Sequence, residues 1–448
     1  MRLEGPLASR PAALAWLACV VLACYANSLS GAFQFDDYKV IVDNPEVQSW
    51  AAWLASLGHG IRPLLKLSYT LNWTSELGLT GFHLVNLTVH LGNAWLVYLL
   101  AQTFSQSQAQ REGLAYVPLI TALLFAAHPI QTEAVTYVCG RSSSLMTLFY
   151  LAGLMACASD RGQYNKSRLY LLTPLLFVAA LAVKETAVTF PFALLLWELA
   201  CGGDWRSAIR RQWPNWVVLL CAATFFLLNE AYGSQIQRSA AFNSVQGNAA
   251  TQLRAVAYLL RQWVLPLWLN IDPDLPLQRD FAGSAWPLMF FVFAMVLMLV
   301  CWRRRPWVGF ALAWLVLHLV PLYLLLPRLD IANERQMVLA AWPLYLALAT
   351  ELELGLEART LKIASAALLL TLGTLTVLRN QVYASEIALW QDTAEKSPHK
   401  ARVHNNLGYA YQLAQRDDDA RREFTLALQI DPQEVKARYN LQRLAVHQ

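Results

Sequence analysis

The residues able to do chemistry in this chain are few, and they gather at the ends of apolar segments. An acidic pair lies in Phe35-Asp36-Asp37-Tyr38 directly after the first apolar segment, followed by Asp43-Asn44-Pro45. Basic residues recur beside later segments. Arg62 and Lys66 sit in an aromatic stretch with Trp50 and Trp53, Arg141 lies three residues into a hydrophobic run, and Lys184-Glu185 interrupt another. Arg238 falls in the polar loop 233–251, and Glu334-Arg335 head a further apolar segment; His128, Glu133, Glu230, Arg328 and Asp330 complete the set. An ionisable side chain at membrane depth costs about 3 kcal/mol or more and faces a cavity or a partner. Acids and bases collected together suggest a site for an anionic, membrane-borne substrate.

Each of these residues also has a plainer reading. Asp36-Asp37 is equally a solvated pair or a helix cap, Lys184-Glu185 an ion pair at a helix end, and Arg141 a side chain snorkelling to headgroups. Arg238 is most simply surface, Glu334-Arg335 interfacial anchors, and His128-Pro129 a helix end. No HExxH, P-loop or GxSxG is present, so hydrolase and nucleotide-driven pump readings have no support. The seven cysteines lie in or beside apolar segments without CxxC spacing, against a disulfide framework or a zinc site.

The elements that must position these residues are set by composition. The chain has 448 residues, 56% hydrophobic and 15% charged, with a formal net charge of +5. Soluble domains are about 45–50% apolar and about 25% charged, so soluble enzyme, disordered scaffold and nucleic-acid binder are excluded. Apolar segments fall at 12–29, 82–104, 115–136, 138–158, 169–183, 186–200, 215–232, 253–270, 285–302, 306–326, 334–350 and 360–378. Backbone groups in lipid are satisfied within a segment, so each is expected to be a helix. The first is long for a signal peptide and lacks a small-residue cleavage site.

Arginines then orient the helices. Arg2 and Arg10 put the N-terminus inside; Arg111, Arg161/Lys166/Arg168, Arg206/Arg210/Arg211, Arg303–Arg305 and Arg359/Lys362 mark later inner turns. A full crossing by 253–270 would place Arg303–Arg305 outside, and that segment carries Arg254, Arg261 and Pro266. It is expected to be interfacial or re-entrant on the outer face. The fold expected is all-α and polytopic, with about eleven spans, the loop 30–81 outside and the C-terminus outside.

After residue 380 the composition turns charged and helix-forming. Leu407-Gly408, Tyr411, Ala420, Phe424, Ala427 and Pro432 match one tetratricopeptide repeat of about 34 residues. Trp390 and Pro398 lie one period earlier and Leu441 one period later, giving one full repeat and two partial ones over 383–448. So few repeats cannot bury a continuous core alone and should lean on the membrane domain or a partner. The expected division is a membrane domain over 1–380 and a repeat domain over 381–448.

These residues resemble the transmembrane and tetratricopeptide-repeat O-mannosyltransferases and their bacterial relatives, within the GT-C glycosyltransferases. The resemblance runs through FQFDDYKVIVDNPEV (33–47), IRPLLKLSYTLNW (61–73), GFHLVNLTVHLGN (81–93), HPIQTEAVTYVCGRSSSLMTLFYL (128–151), VKETAVTFPFALL (183–195) and ANERQMVLAAWPLYLALA (332–349), and the repeat tail follows in that family's order. The tail is short where eukaryotic members carry many repeats, and the Arg-rich, Lys-poor chain reads as bacterial. The resemblance implies a GT-C-type transferase taking a sugar from a polyprenyl-phosphate donor on the non-cytoplasmic side, by an inverting displacement. It implies that Asp36 or Asp37 takes the acceptor proton while the other orients acceptor or sugar. Arg141, Lys184, Arg238 and Arg335 would hold the donor phosphate, with His128, Glu133, Glu185, Glu334 and Arg62 as polar support. Some members of the class use a divalent metal ion, which Asp36/Asp37 would hold here, but no complete ligand set is visible. The implied partners are the lipid-linked donor, membrane lipids and an exported acceptor protein, a pilin by analogy in a bacterium. The implied location is a bacterial inner membrane with a periplasmic site, or alternatively the endoplasmic reticulum with a luminal one.

Rival readings are a transferase with a lipid or polysaccharide acceptor, a lipid or solute transporter, and a non-catalytic anchor for the repeats. Transporters place charges near the midplane and show internal repeats, whereas here charges gather at one face.

Overall fold

A computed structural model describes residues 9–58, 60–108, 114–158, 165–230, 232–234, 237, 244–281, 284–321 and 330–446. Arg238 and Arg328 lie outside the described residues. Described residues form helices joined by turns, without a strand among them. Each apolar segment read from the sequence contains helix among the described residues. Four of the described helices are long and apolar enough to cross a membrane: Arg10–Ser30, Gly78–Ser107, Ala285–Arg304 and Ala358–Val382. Glu334–Ala340 and Trp342–Gly355 add a fifth if this pair, bent by 61°, is one span. The chain is a membrane protein.

Several expected segments are broken, each for a local reason. The segment 115–136 is helical over Val117–Ala127 and then stops at His128, in an extended conformation ahead of Pro129. The residue before a proline is pushed out of the helical region. Short turns over Pro129–Gln131, Thr132–Val135 and Val138–Gly140 carry the chain into helix Arg141–Cys157. Gly140 is required there, because a Cβ would lie 2.1 Å from the Glu133 carbonyl oxygen. Lys184 is likewise extended (φ −156°, ψ 132°) and separates Thr173–Val183 from the turn Glu185–Thr189. These breaks bring polar backbone to one end of the helices, which is tolerated at membrane depth where it is buried in protein or lines a cavity.

The segment 253–270 is a helix over Val245–Val264, starting earlier than expected and capped by the Ser244 hydroxyl. It buries Ala250, Ala255, Val256 and Leu259 while Arg261 stays exposed, a one-faced pattern that suits a surface helix better than a lipid-surrounded span.

The tail forms helices Glu386–Lys396, Ala401–Leu413, Asp417–Ile430 and Val435–Val446. Leu407, Gly408, Ala420, Phe424 and Ala427 are buried. A Cβ at Gly408 would meet the Phe424 ring at 2.7 Å, so the absence of a side chain there is what lets these two helices approach. The tail also rests on the rest of the chain, as its small core requires. Lys400 Nζ donates to Asp272 Oδ1 (2.7 Å), and Arg402 bridges Asp272 Oδ2 (2.9 Å) and Asp330 Oδ1 (2.9 Å). Ser397 Oγ accepts from Asn270 Nδ2 (2.8 Å) and donates to the Asp272 carbonyl (3.0 Å).

Candidate functional site

The acidic pair splits at once into two environments. Asp37 is fully buried. Its Oδ2 accepts from the Gln34 backbone N–H (3.0 Å) and its Oδ1 from the Cys139 N–H (2.8 Å), so it ties the first loop to the turn before Arg141. Burial pushes its pKa up to about 7 against the pull of those hydrogen bonds. Asp36 instead donates its backbone N–H to the Tyr137 hydroxyl (3.1 Å), and among the described residues its carboxylate accepts no hydrogen bond and forms no ion pair. Partial burial raises its pKa, while the Arg335 guanidinium pulls the other way.

Asp36 lines a cavity of about 120 Å³ with Arg62, Tyr69, Ser142, Lys184 and Arg335. The three cations come from three separate stretches of chain, each fixed by its own partners. Arg62 donates bidentately to Glu185, from Nε to Oε2 at 3.0 Å and from Nη2 to Oε1 at 2.6 Å. Lys184 Nζ donates to Ser143 Oγ at 2.7 Å. Arg335 has its Nε 3.4 Å from Glu133 Oε1, and its backbone N–H donates to Glu133 Oε2 at 3.0 Å. Its guanidinium also sits 5.9 Å from the Tyr137 ring centre. A second, narrower cleft shares Asn333 and Arg335 with the first and is lined by Phe35, Glu133, Tyr137, Asp272, Asp330, Trp390 and Arg402. Arg402, between Asp272 and Asp330, has its pKa raised by those carboxylates against the effect of burial.

Backbone strain marks the same place. Among the described residues four non-glycines have positive φ; of these Arg62 (54°) lines the cavity and Phe35 (49°) directly precedes Asp36. Arg62 precedes Pro63, a context that disfavours such a conformation. Strain of this kind persists only where the surroundings over-determine it, and it clusters at functional sites.

Other candidates are elsewhere or differently employed. Arg141 is fully buried and does not line the cavity. Its Nε donates to Asn86 Oδ1 (2.6 Å), Nη1 to the Ser68 carbonyl (3.0 Å) and Nη2 to the Phe82 carbonyl (2.9 Å), beneath the Tyr69 and Phe82 rings. It cross-links helices Pro63–Thr74, Gly78–Ser107 and Arg141–Cys157. His128 accepts from the Ile130 N–H at Nδ1 (3.1 Å) and donates from Nε2 to the Trp263 carbonyl (2.9 Å), fixing a helix end. Glu334 accepts from the Asn270 N–H and lies 3.8 Å from Arg379. No group of three His, Cys, Asp or Glu side chains able to hold a metal ion occurs among the described residues.

Sequence reasoning named Asp330 but missed Tyr137, Glu386, Trp390 as a cavity neighbour, and the Asp272 and Arg402 side chains grouped with Asp330. Their partners are 72 to 355 residues away along the chain, so spacing gives no signal for them.

Proteins similar to this chain are protein O-mannosyl-transferases. TMTC3 of Mus musculus is 24% identical over 484 aligned positions, covering 95% of this chain and 52% of its own length. Tmtc1 of Drosophila melanogaster is 36% identical over 217 positions, covering 45% of this chain and 24% of its own. TMTC4 of Homo sapiens is 32% identical over 198 positions, covering 38% and 27%. The chain thus spans about half the length, or less, of these curated relatives. No family model and no solved structure matches the chain.

Proposed function

We propose that this chain is a membrane glycosyltransferase of the O-mannosyl-transferase kind, moving a sugar from a polyprenyl-phosphate donor to a Ser or Thr hydroxyl of an exported protein. The observation that carries this reading is Asp36, whose carboxylate accepts no hydrogen bond among the described residues and which lines a cavity with Arg62, Lys184 and Arg335. Similarity to protein O-mannosyl-transferases over 95% of the chain supports it.

In this reading Asp36 accepts the proton of the acceptor hydroxyl as its oxygen bonds to the anomeric carbon. The bond from that carbon to the phosphate oxygen breaks in line, with inversion, and polyprenyl phosphate leaves with one more negative charge. Arg62, Lys184 and Arg335 stabilise that charge as it develops, the kind of interaction that lowers a barrier because it is stronger in the transition state. Asp37 holds the loop, and Arg141 holds three helices together and leaves the phosphate to the cavity cations. About eleven crossings, an outer-facing site, a tetratricopeptide-type tail and a bacterial setting with an acceptor such as a pilin belong to the same proposal. The loop 30–81 and the tail then share one side of the membrane.

The deciding experiment incubates the purified full chain with radiolabelled polyprenyl-phosphate mannose and a Ser/Thr-rich unfolded polypeptide. Label entering the polypeptide, lost in Asp36→Asn, supports the proposal. Turnover unchanged in Asp36→Asn overturns it.

A further inference from the structure

The loop that carries Asp36 is held from two sides, and one of those sides is the tail. On the core side, Asp37 accepts from the Cys139 N–H, and the Asp36 N–H donates to Tyr137. On the tail side, the Gln34 side-chain amide donates to the Tyr383 carbonyl. The Phe35 N–H donates to Glu386 Oε1 (3.0 Å), and the Phe35 ring meets Trp390 edge-on, with centroids 5.2 Å apart at 76°. Trp390 is itself buried. The residue gripped by Glu386 and Trp390 has a left-handed backbone, φ 49°. A bulky L-residue keeps that conformation only when its surroundings impose it.

We propose that the Glu386–Lys396 helix is a clamp that fixes the direction of the Asp36 carboxylate, with Glu386 and Trp390 as positioning residues. This rests on the reading of Asp36 as the base. Attachment of the tail does not require these contacts, because Lys400, Arg402 and Ser397 already bind it to Asn270, Asp272 and Asp330. The Glu386 and Trp390 contacts are an additional set, made one residue before the base. A base must come within hydrogen-bond reach of the proton it takes, and a displacement of about 1 Å costs on the order of 100-fold in rate. Releasing Phe35 leaves Gln34–Tyr383 as the remaining tail-side tie and lets the Phe35 φ relax.

The test uses the full chain in detergent, with Trp390→Ala, Glu386→Ala, the conservative Trp390→Phe and Glu386→Gln, and Asp36→Asn in parallel. Two quantities are read: hydrogen–deuterium exchange of peptides covering 33–40, and kcat and donor KM for transfer of mannose from polyprenyl-phosphate mannose to the Ser/Thr-rich polypeptide. In the alanine variants, exchange should rise at 33–40 and stay unchanged in helix Gly78–Ser107. Their kcat should fall about 10- to 100-fold with donor KM unchanged. Phe and Gln, which keep a ring and an acceptor oxygen, should stay within about threefold of the wild-type kcat. If Trp390→Ala does not fold, the Glu386→Ala and Glu386→Gln pair carries the comparison. Unchanged exchange at 33–40 overturns the clamp, and so does a loosened loop with wild-type kcat. A clamp failure with Asp36→Asn inactive leaves the base reading standing, whereas normal turnover in Asp36→Asn removes the base reading and the clamp's purpose with it.

Discussion

Asp36 and Asp37 are adjacent in sequence and opposite in employment: Asp37 has both carboxylate oxygens occupied by backbone N–H groups, while the Asp36 carboxylate faces a cavity beside Arg335. Their substitutions therefore separate. Asp36→Asn keeps side-chain size and removes the basic oxygen, so transfer should fall by about 10²–10⁴-fold while the protein stays folded. Asp37→Asn turns one acceptor into a donor aimed at a buried N–H, which costs about 1–3 kcal/mol of stability. Transfer rates per folded molecule and melting temperatures in detergent read the two outcomes. Equal loss of rate in both variants, with equal melting temperatures, contradicts the division.

The acidic pair was legible as a pair, and its division of labour was not. Nothing in Phe35-Asp36-Asp37-Tyr38 says which carboxylate is buried; that depends on the Cys139 N–H, 102 positions away. Helices were readable from apolar run length, and the breaks at His128-Pro129 and Lys184-Glu185 from proline and charge. Arg141 was legible as an arginine out of place, yet its three acceptors lie 55 to 73 positions away, so a phosphate role and a packing role look alike in sequence. Gly408 and Phe424 were readable because repeat spacing is a contact rule. Asp272, Asp330 and Arg402 obey no such rule, and only folding brings them together.

The two acids also titrate in opposite interests. A base must be ionised to work, and burial raises the Asp36 pKa above the ordinary 3.8, with Asp330 adding to it and Arg335, Lys39 and Arg402 opposing. The acidic limb of kcat/KM against pH should therefore lie above the ordinary carboxylate range, and it should vanish with Asp36→Asn. Asp37, raised to about 7, binds its proton more tightly in the folded chain than in the unfolded one. Its contribution to stability is full below pH 4 and is lost as pH rises toward 7. The melting-temperature advantage of the wild type over Asp37→Asn should therefore shrink between pH 4 and 7. An advantage that grows over that window reverses the assignment.

Arg141 and Lys184 should fail differently. Arg141→Ala leaves the Asn86 oxygen and the Ser68 and Phe82 carbonyls without their donor, in a fully buried site. Each buried acceptor left unsatisfied costs about 1–3 kcal/mol, and three of them are enough to lower the yield of folded protein. Lys184→Ala removes a cation from the cavity wall, and its effect should appear as weaker binding of polyprenyl phosphate. Size-exclusion profiles and a polyprenyl-phosphate binding titration separate them. A monodisperse Arg141→Ala protein with selectively weakened binding would return Arg141 to the phosphate.

The tail's attachment makes the last prediction, and charge reversal tests it. Asp272 takes Lys400 and Arg402 together, and Asp330 takes Arg402 again. Burial would raise the Asp330 carboxyl, but Arg402 and Arg335 outweigh it and hold the carboxyl below its usual range. Asp330 is thus an anion with two cationic neighbours, and Asp272 is held by two donors of its own. Arg402→Glu places a third carboxylate between them, and like charges this close repel in a partly buried setting. Loss of the charged hydrogen bonds alone costs about 1.5–3 kcal/mol, so the docked tail should open far more often. Limited proteolysis should then cut after residue 383 at a rate at least about tenfold above wild type, since about 1.4 kcal/mol already changes an opening equilibrium tenfold. Asp272→Arg combined with Arg402→Glu restores one opposite-charge pair and should recover part of the protection. Because the same tail carries Glu386 and Trp390, the opened single variant should lose transfer activity in step with its protection, and the double variant should regain both. Wild-type proteolysis in Arg402→Glu would mean that the apolar contacts of Trp390 and Tyr383 hold the tail without the charges.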